Sequence, residues 1–331
     1  EFKHPVPFLR TREFLWNEGH TAFATKEEAE KECTEILDMY HDTVKDYLAL
    51  YGIKGKKTEN EKFAGAVYTL SIEYFMPNGK GIQGPDSHFD GQNFAKAFDI
   101  KFLDKDEKEK YVWQNTWAIS TRMLGVLVAI HGDDKGLVLP PKIAPIKVII
   151  VPILFSKDKE KVIQYCKNLE KKLSKFDVSL DLRDYNVGWK YNEWELKGVP
   201  IRIEVGPNEI KKKQVVMYRR DSHKKENVKI TSLVKKINDT LEDIQKSLYE
   251  KSKKLFESNL IEVDKKIKIK VITGRQNHRC LYKSGASADD DELPCKIEIK
   301  EKNFPKLREY LKENPNVSNK LELKDIRRMS V

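Results

Sequence analysis

Residues 63–88 restrict the fold more than any other stretch of the chain. FAGAVYTLSIEYF (63–75) is rich in β-branched and aromatic residues, Pro77–Asn78–Gly79 supplies a turn, and KGIQGPDSH (80–88) resumes as a second strand. Strands joined by so short a turn form an antiparallel sheet rather than a doubly wound parallel one.

The flanking segments supply helices and further strands. Residues 11–18 read as a strand rising from a loop that contains Pro5 and Pro7. Thr25 and Glu28 form a capping-box pattern. Behind them Cys33, Ile36, Leu37, Tyr40, Val44, Leu48 and Tyr51 recur at helical spacing over about 25 residues, with Gly52 and Gly55 as punctuation. Gly91 and Phe94 lead into a short helix, Trp113–Thr121 reads as a strand, and Arg122–Ile130 reads as an apolar helix stopped by Gly132 and Asp133. His131 is expected to close that helix.

GLVLPPKIAP (136–145) is a proline-punctuated connector and marks a domain boundary. After it come a buried strand (147–155), a helix (157–175), the strand VSLDLRD, the short helix NEWELKG and the strands IRIEVGP and QVVMYRRD. This β-α-β-α-β-β order predicts a small α/β domain. A long helix follows, with Leu233, Ile237, Leu241, Ile244, Leu248 and Leu255 on one face. Beyond residue 261 a strand at KIKIKVITG, a flexible loop around 285–292 and a helix at 305–314 are expected.

Composition narrows the class. With 331 residues the chain is long enough for two or three domains, and 39% hydrophobic with 34% charged residues fits a soluble globular protein. No apolar run approaches the roughly 18 residues of a membrane helix, and no signal peptide is visible, so no membrane association is expected. Cys33, Cys166, Cys280 and Cys295 lie far apart, which predicts free thiols in a reducing cytoplasm. The net charge of +10 suits a polyanionic partner. The segment 209–229 concentrates eight Lys and Arg against three acids.

The opening stretch EFKHPVPFLRTREFLWNEGHTAF packs Arg10, Arg12, Glu13, Trp16, Glu18 and His20 together. Such a density of charge makes a poor core strand and a good wall of a binding cleft. This stretch, GIQGPDSHFDGQNFAKAF (81–98), YVWQNTWAISTRMLGVLVAIHGDDKGLVLPP (111–141) and DLRDYNVGWKYNEWELKGVPIRIEVGP (181–207) occur in an order that resembles class II aminoacyl-tRNA synthetases of the prolyl type found in archaea and eukaryotic cytoplasm. The first and third segments resemble motifs 2 and 3.

The resemblance implies an α+β class II synthetase core with an antiparallel sheet over 1–141, in part. It implies an α/β anticodon-binding domain with a long helix over 142–260, and a small divergent C-terminal α+β region over 261–331. It further implies ATP-dependent activation of L-proline to prolyl-adenylate and transfer to tRNA(Pro), with ATP carrying Mg2+ as the substrate complex. Phe14 and Arg122 would sandwich the adenine, with Arg122 the catalytic arginine. Glu1, Arg10, Thr11, Gln83 and Ser120 would line the nucleotide. Trp16, Phe63 and Trp117 would wall a proline pocket to which Glu18, His20 and His88 bring polar contacts. Arg183, Trp189, Lys190, Glu195, Arg219 and Arg220 would meet the tRNA. The family often carries a four-cysteine zinc site, but Cys280, Cys295 and His278 fall short of four ligands, so no structural zinc is expected. A homodimer, participation in a multi-protein complex and a cytoplasmic location are further implications.

Several positions depart from the family pattern. Motif 1, the Thr–x–Glu segment and the motif 2 arginine would fall before residue 1, which predicts weak adenylation by the chain alone. Pro85 and Asp86 stand where the family has a small residue and Thr, and Phe89–Asp90 replace a His–Leu pair. Ala118 replaces Gly, and the loop 184–188 is a residue shorter. A carboxylate at 86 is expected to repel the substrate carboxylate and the phosphates by about 4 kcal/mol at 4 Å and an effective dielectric of 20. These departures support a second reading, an impaired synthetase paralogue or fragment acting as an RNA-binding or structural component of a larger complex.

Overall fold

A computed structural model describes residues 5–155 and 157–260, with the backbone of short strands at Lys266–Ile267, Lys270–Val271, Leu281–Tyr282, Ile297–Glu298 and Leu321–Glu322. Glu1, His278, Cys280 and Cys295, and the loop and helix expected beyond 261, lie outside the described residues. The chain divides into two compact units. One comprises Glu18–Leu37, Ile53–Trp117 and Leu255–Val331, the other Glu1–Asn17, Asp38–Gly52 and Ala118–Lys254.

The first unit is built on an antiparallel sheet. Its strands are β1 (Trp16–Phe23), β2 (Ile53–Lys57), β3 (Tyr68–Phe75), β4 (Gly81–Gly91) and, after the small hairpin β5 (Lys101–Leu103) and β6 (Glu109–Tyr111), β7 (Trp113–Ser120). The sheet order is β1-β7-β4-β3-β2, with Leu281–Tyr282 beside β2. The turn between β3 and β4 carries Gly79 at φ 79°, a left-handed conformation that costs glycine nothing. The expected antiparallel hairpin is present. Three details differ from the sequence reading. β1 starts at Trp16 rather than residue 11, because Pro7 and Phe8 turn the chain back so that Val6 and Arg10 bond each other. Gly55 sits inside β2 opposite Ser71 rather than ending an element. The β5–β6 hairpin was not foreseen.

Helix α1 (Lys26–Leu48) opens with the expected capping box, Thr25 N–H to Glu28 at 3.2 Å and Glu28 N–H to the Thr25 hydroxyl at 3.3 Å. Its Ala29 and Cys33 pack on Phe89, with Phe23, Tyr68, Leu70 and Trp113 around them. The Ser87 hydroxyl donates to the Cys33 sulfur, and burial pushes that thiol up to about 11.

β3 and β4 pair with one irregularity. Ser71 faces Asp86, whereas Glu73 faces Gln83. Gly84 and Pro85 therefore share the single opposing residue Ile72, a β-bulge on β4. Proline lacks the N–H that a regular ladder needs, so it belongs at such a site.

The second unit contains α3 (Arg122–His131), which follows the short α2 (Asn93–Ala97) of the first, and then the expected α/β arrangement. Its elements are β8 (Val148–Pro152), α4 (Lys159–Lys172), β9 (Val178–Leu180), α5 (Val187–Leu196), β10 (Ile201–Val205), α6 (Pro207–Lys211), β11 (Gln214–Arg219), β12 (Lys225–Lys229) and α7 (Leu233–Asn259). The order is β12-β11-β10-β8-β9, with β8 parallel to β9 and β10, and β11 antiparallel to its neighbours. Strand β12 and helix α6 escaped the sequence reading; Glu209 caps α6 by accepting the Gly206 N–H at 3.0 Å. Val148, Ile150, Ile201 and Ile203 bury one side of the sheet against Cys166, Ile237, Ile244 and Leu248. Burial raises the Cys166 thiol to about 12.

Charge is also buried here. Arg220 is 1% exposed, donates to both oxygens of Asp133 at 2.6 and 2.5 Å, and gives a third bond to the Glu195 carbonyl. The guanidinium holds the Asp133 carboxyl well below the usual range. Removing one partner of such a pair strands the other charge. Arg220→Met is expected to destabilise the chain by about 3 kcal/mol, and Asp133→Asn combined with it should add less than its separate cost. Urea unfolding of the two single variants and the double variant checks this.

Candidate functional site

Strand alternation gives the sheet of the first unit two unlike faces. Phe23, Trp113, Phe89, Tyr68 and Leu70 point to α1. The other face collects polar groups. Thr69 is paired with His88, Ser71 with Asp86 and Glu73 with Gln83. The bulge matters here: residues 83 and 86 differ by an odd number, and a regular strand would put them on opposite faces. The extra residue returns Asp86 and His88 to the face of Gln83.

The resulting cluster is continuous. Lys57, 8% exposed, donates to the Gln83 carbonyl oxygen, and the Gln83 amide donates to Asp86. His88 Nε2 is 3.6 Å from Asp86, and its Nδ1 is 2.8 Å from the Thr69 hydroxyl, which accepts the Phe63 N–H. Phe63, 45% exposed, leans on the His88 ring at 5.0 Å. Asp86 therefore has an amide and, beyond it, an ammonium to offset its charge. The expected repulsion of anionic substrates is correspondingly reduced.

A second group lies across β1, β7 and β4. His20 Nε2 is 3.7 Å from Glu18, His20 Nδ1 is 3.3 Å from the Thr116 hydroxyl, and Thr116 donates to Asp90 at 2.6 Å. Burial raises the Asp90 pKa, opposed by the Thr116 hydrogen bond and by His20. Trp117 does not join this group. Its ring lies against Gly19, where an added Cβ would come within 2.1 Å. Gly19 and Trp117 alternate with His20 and Thr116, so the indole takes the opposite face of the sheet, contrary to its expected place beside Glu18 and His20. Trp16, at 58% exposure, is no core residue.

In the second unit the segment before β1 is tied to α3. Arg122 Nε donates to the Leu9 carbonyl at 3.1 Å, and the Thr121 N–H donates to Leu15 at 2.9 Å. The Ser120 hydroxyl accepts the Arg122 N–H at 3.3 Å. The guanidinium of Arg122 sits 5.1 Å from the Phe14 ring centre, and both side chains are half-buried. The sequence reading had named this pair as two plates around an adenine. Stacking spacings of about 3.5 Å on each side need roughly 7 Å, so the pair must part before a ring can slide between. Arg10 is exposed, and Thr11 is half-buried with its hydroxyl on the Glu13 carbonyl at 2.5 Å.

Residues expected to meet tRNA separate into two sets. Arg183 and Trp189 form an exposed stack with Tyr185, a residue the sequence reading did not assign to the tRNA. The Tyr185 and Trp189 rings are 4.0 Å apart, with the Arg183 guanidinium 5.6 and 5.3 Å from them. The Asn186 side chain caps α5 by accepting the Trp189 backbone N–H at 2.7 Å, which fixes the helix turn that carries the indole. Asp181 and Glu193 hold Arg183 in place at 2.8 and 2.6 Å. Burial pushes the Asp181 carboxyl up, but hydrogen bonds from Arg183 and Trp194 outweigh it and leave it at about 2.

Lys190, Glu195 and Arg220 are interior, at 2%, 8% and 1% exposure. Arg219 is bound to Asp221 and Asp243 at 2.9 and 2.6 Å. All four are engaged by protein partners: Lys190 by Asp181, Glu195 by Arg202 and Lys135, Arg219 by Asp221 and Asp243, and Arg220 by Asp133. The sequence reading missed Arg202, which lies 3.9 Å from the Tyr191 ring and 4.1 Å from Tyr218 and binds Glu195 and Glu204. Alternation in IRIEV gave the only hint, placing Arg202 and Glu204 on one face.

Comparison with known proteins agrees with this geometry. Residues 1–131 match the family described as tRNA synthetase class II core domain (G, H, P, S and T), and residues 147–240 match the anticodon binding domain. The chain belongs to the class II aminoacyl-tRNA synthetases. Within that family it is similar to a cytoplasmic proline–tRNA ligase of Arabidopsis thaliana, 48% identical over 80% of this chain and 51% of that protein. It is also similar to a proline–tRNA ligase of Natranaerobius thermophilus, 49% identical over 78% of this chain and 54% of that protein. A proline–tRNA ligase 2 of Bacillus cereus is 44% identical over 92% of this chain and 64% of that protein. The chain spans about half the length of the first two relatives. Among the described residues no group of three or more His, Cys, Asp and Glu is placed to hold a metal, and no helix is long and apolar enough to cross a membrane.

Half-buried His88 and buried His131 give this structure a pH signature. Burial, aided by Lys57, lowers His88 to about 4, and burial, aided by Lys251, lowers His131 to about 4. Below the unfolded value near 6.5 the unfolded chain binds protons that the folded chain refuses. Stability is therefore expected to fall as pH drops from about 6.5 to 4, by up to about 1.4 kcal/mol per pH unit for each histidine. Chemical unfolding across that range checks it, with His88→Gln flattening the slope.

Proposed function

We propose that the chain forms part of a proline–tRNA ligase that activates L-proline with ATP and Mg2+ and passes the prolyl group to tRNA(Pro). The observation that carries this reading is the Arg122–Phe14 contact at 5.1 Å, anchored by Leu9 and Ser120. Once parted, the guanidinium and the ring would offer two planes for purine stacking, and the guanidinium a cation for developing phosphate charge. Arg10, Thr11 and Ser120 stand near it in sequence or hydrogen bonding, and Gln83 belongs to the polar face described above. Glu18, His20, His88 and Phe63 supply acceptors and an apolar wall suited to a small ring with a secondary ammonium. The relatives are named for the same reaction.

For RNA, the exposed Arg183–Tyr185–Trp189 stack is the surface that suits unpaired bases, which stack on aromatic planes and are held by hydrogen bonds to their edges. Lys190 supports that surface through Asp181, which also holds Arg183. We infer the functional division 1–141, 142–260 and 261–331, a cytoplasmic location and a homodimer from the family resemblance. The motifs at 81–98 and 111–141 support the archaeal and eukaryotic cytoplasmic type.

Proline-dependent exchange of pyrophosphate into ATP by the complete gene product tests the reading. In that protein Arg122→Ala is expected to lower exchange by about 100-fold or more. A folded complete product that binds tRNA(Pro) but exchanges nothing with proline points instead to the non-catalytic RNA-binding component. In filter binding, Trp189→Ala is expected to weaken tRNA(Pro) by about 10-fold, the worth of one lost base stack.

A further inference from the structure

Asp90 is 1% exposed, and one of its carboxylate oxygens has no hydrogen-bond partner in the protein. The other accepts from Thr116 at 2.6 Å, and Thr116 is 3.3 Å from His20 Nδ1. This chain of three residues crosses three neighbouring strands in the order β4-β7-β1. We propose that Asp90, acting through Thr116, is a positioning residue that fixes His20 with its proton on Nδ1 and its Nε2 lone pair beside the Glu18 carboxylate.

The direction follows from donor counting. A carboxylate only accepts, so the single hydroxyl proton of Thr116 goes to Asp90. Thr116 then has lone pairs left for His20 and no proton, and His20 Nδ1 must be the donor. In a neutral imidazole the other nitrogen is then an acceptor. That nitrogen lies 3.7 Å from Glu18 Oε1. Two acceptors so close make a seat for one group that brings two N–H bonds on a single cationic nitrogen. A secondary ammonium is such a group. Replace Asp90 by an apolar residue and the Thr116 proton is released to His20, the tautomer reverses, and Nε2–H presents a donor where an acceptor was. Asp90 is one of the positions at which the sequence departs from the family pattern described above. The inference rests on the proline reading for the identity of the ammonium, but not for the tautomer.

The test uses the full chain with 15N-labelled histidine, His20 being assigned by the signal lost in His20→Gln. Long-range proton–nitrogen correlation at neutral pH is expected to show His20 protonated on Nδ1. Asp90→Asn retains an acceptor oxygen and should keep that pattern, while Asp90→Leu, which leaves no buried charge behind, should move it toward Nε2–H. L-proline affinity, measured by calorimetry, is expected to fall about 3- to 10-fold in Asp90→Leu, the worth of one misplaced hydrogen bond, and to be kept in Asp90→Asn. An Nε2–H tautomer in the native chain overturns the proposal, as does an unchanged tautomer or unchanged proline affinity in Asp90→Leu. A native chain with the Nδ1–H tautomer and no proline binding leaves the relay standing and removes the ligase reading.

Discussion

The extra residue in β4 is the constraint on which the candidate chemistry depends. Period two would otherwise assign Gln83 to one side of the sheet and Asp86, His88 and Asp90 to the other. With Gly84 and Pro85 sharing Ile72 as their opposite number, the whole set faces away from α1. Phe89 and Ser87 meanwhile remain on the helix side, where Cys33 and Ala29 wait for them. One bulge thus reconciles a packed hydrophobic face with an uninterrupted polar one. Proline at that point is no intruder, since the ladder is already broken where its missing N–H would be needed.

The second unit solves a different problem, that of placing many cations inside. Arg202 lies between two tyrosine rings and two glutamates, and Arg220 grips Asp133 and a backbone carbonyl. Lys190 reaches the Asp181 carbonyl at 3.2 Å. Each cation has both a counter-charge and directed acceptors, the condition under which buried charge is tolerable. Part of the chain's high basic content is therefore structural. Arg183 and the lysines of 211–213 are among the cations left at the surface.

Much of this was legible in advance, and the reasons are local. The antiparallel hairpin rests on the Pro77–Asn78–Gly79 turn, the α1 start on Thr25 and Glu28, and the α/β order on apolar runs of strand length between helical periods. Such signals need only neighbouring residues. The Phe14–Arg122 pairing came from motif resemblance rather than periodicity. What escaped depends on contacts far apart in sequence. Nothing near QVVMYRRD says that Arg220 will meet Asp133, 87 positions away. Nothing in TWAIS says that Trp117 will lie on Gly19. Strand β12, KENVK, has one buried residue, Val228, and carries too little hydrophobic pattern to announce itself.

Among the described residues two thiols are buried, and they carry a practical consequence. Cys33 belongs to one compact unit and Cys166 to the other, and neither forms thiolate near neutrality while covered. Alkylation by a small electrophile must then wait for the protein to open around each sulfur. Since the covers differ, a helix against a sheet of the first unit in one case and the core behind β8 in the other, the two labelling rates read out two separate opening reactions. Each thiol is thus a clock for its own unit, and comparing the two rates asks whether the units open together or one at a time.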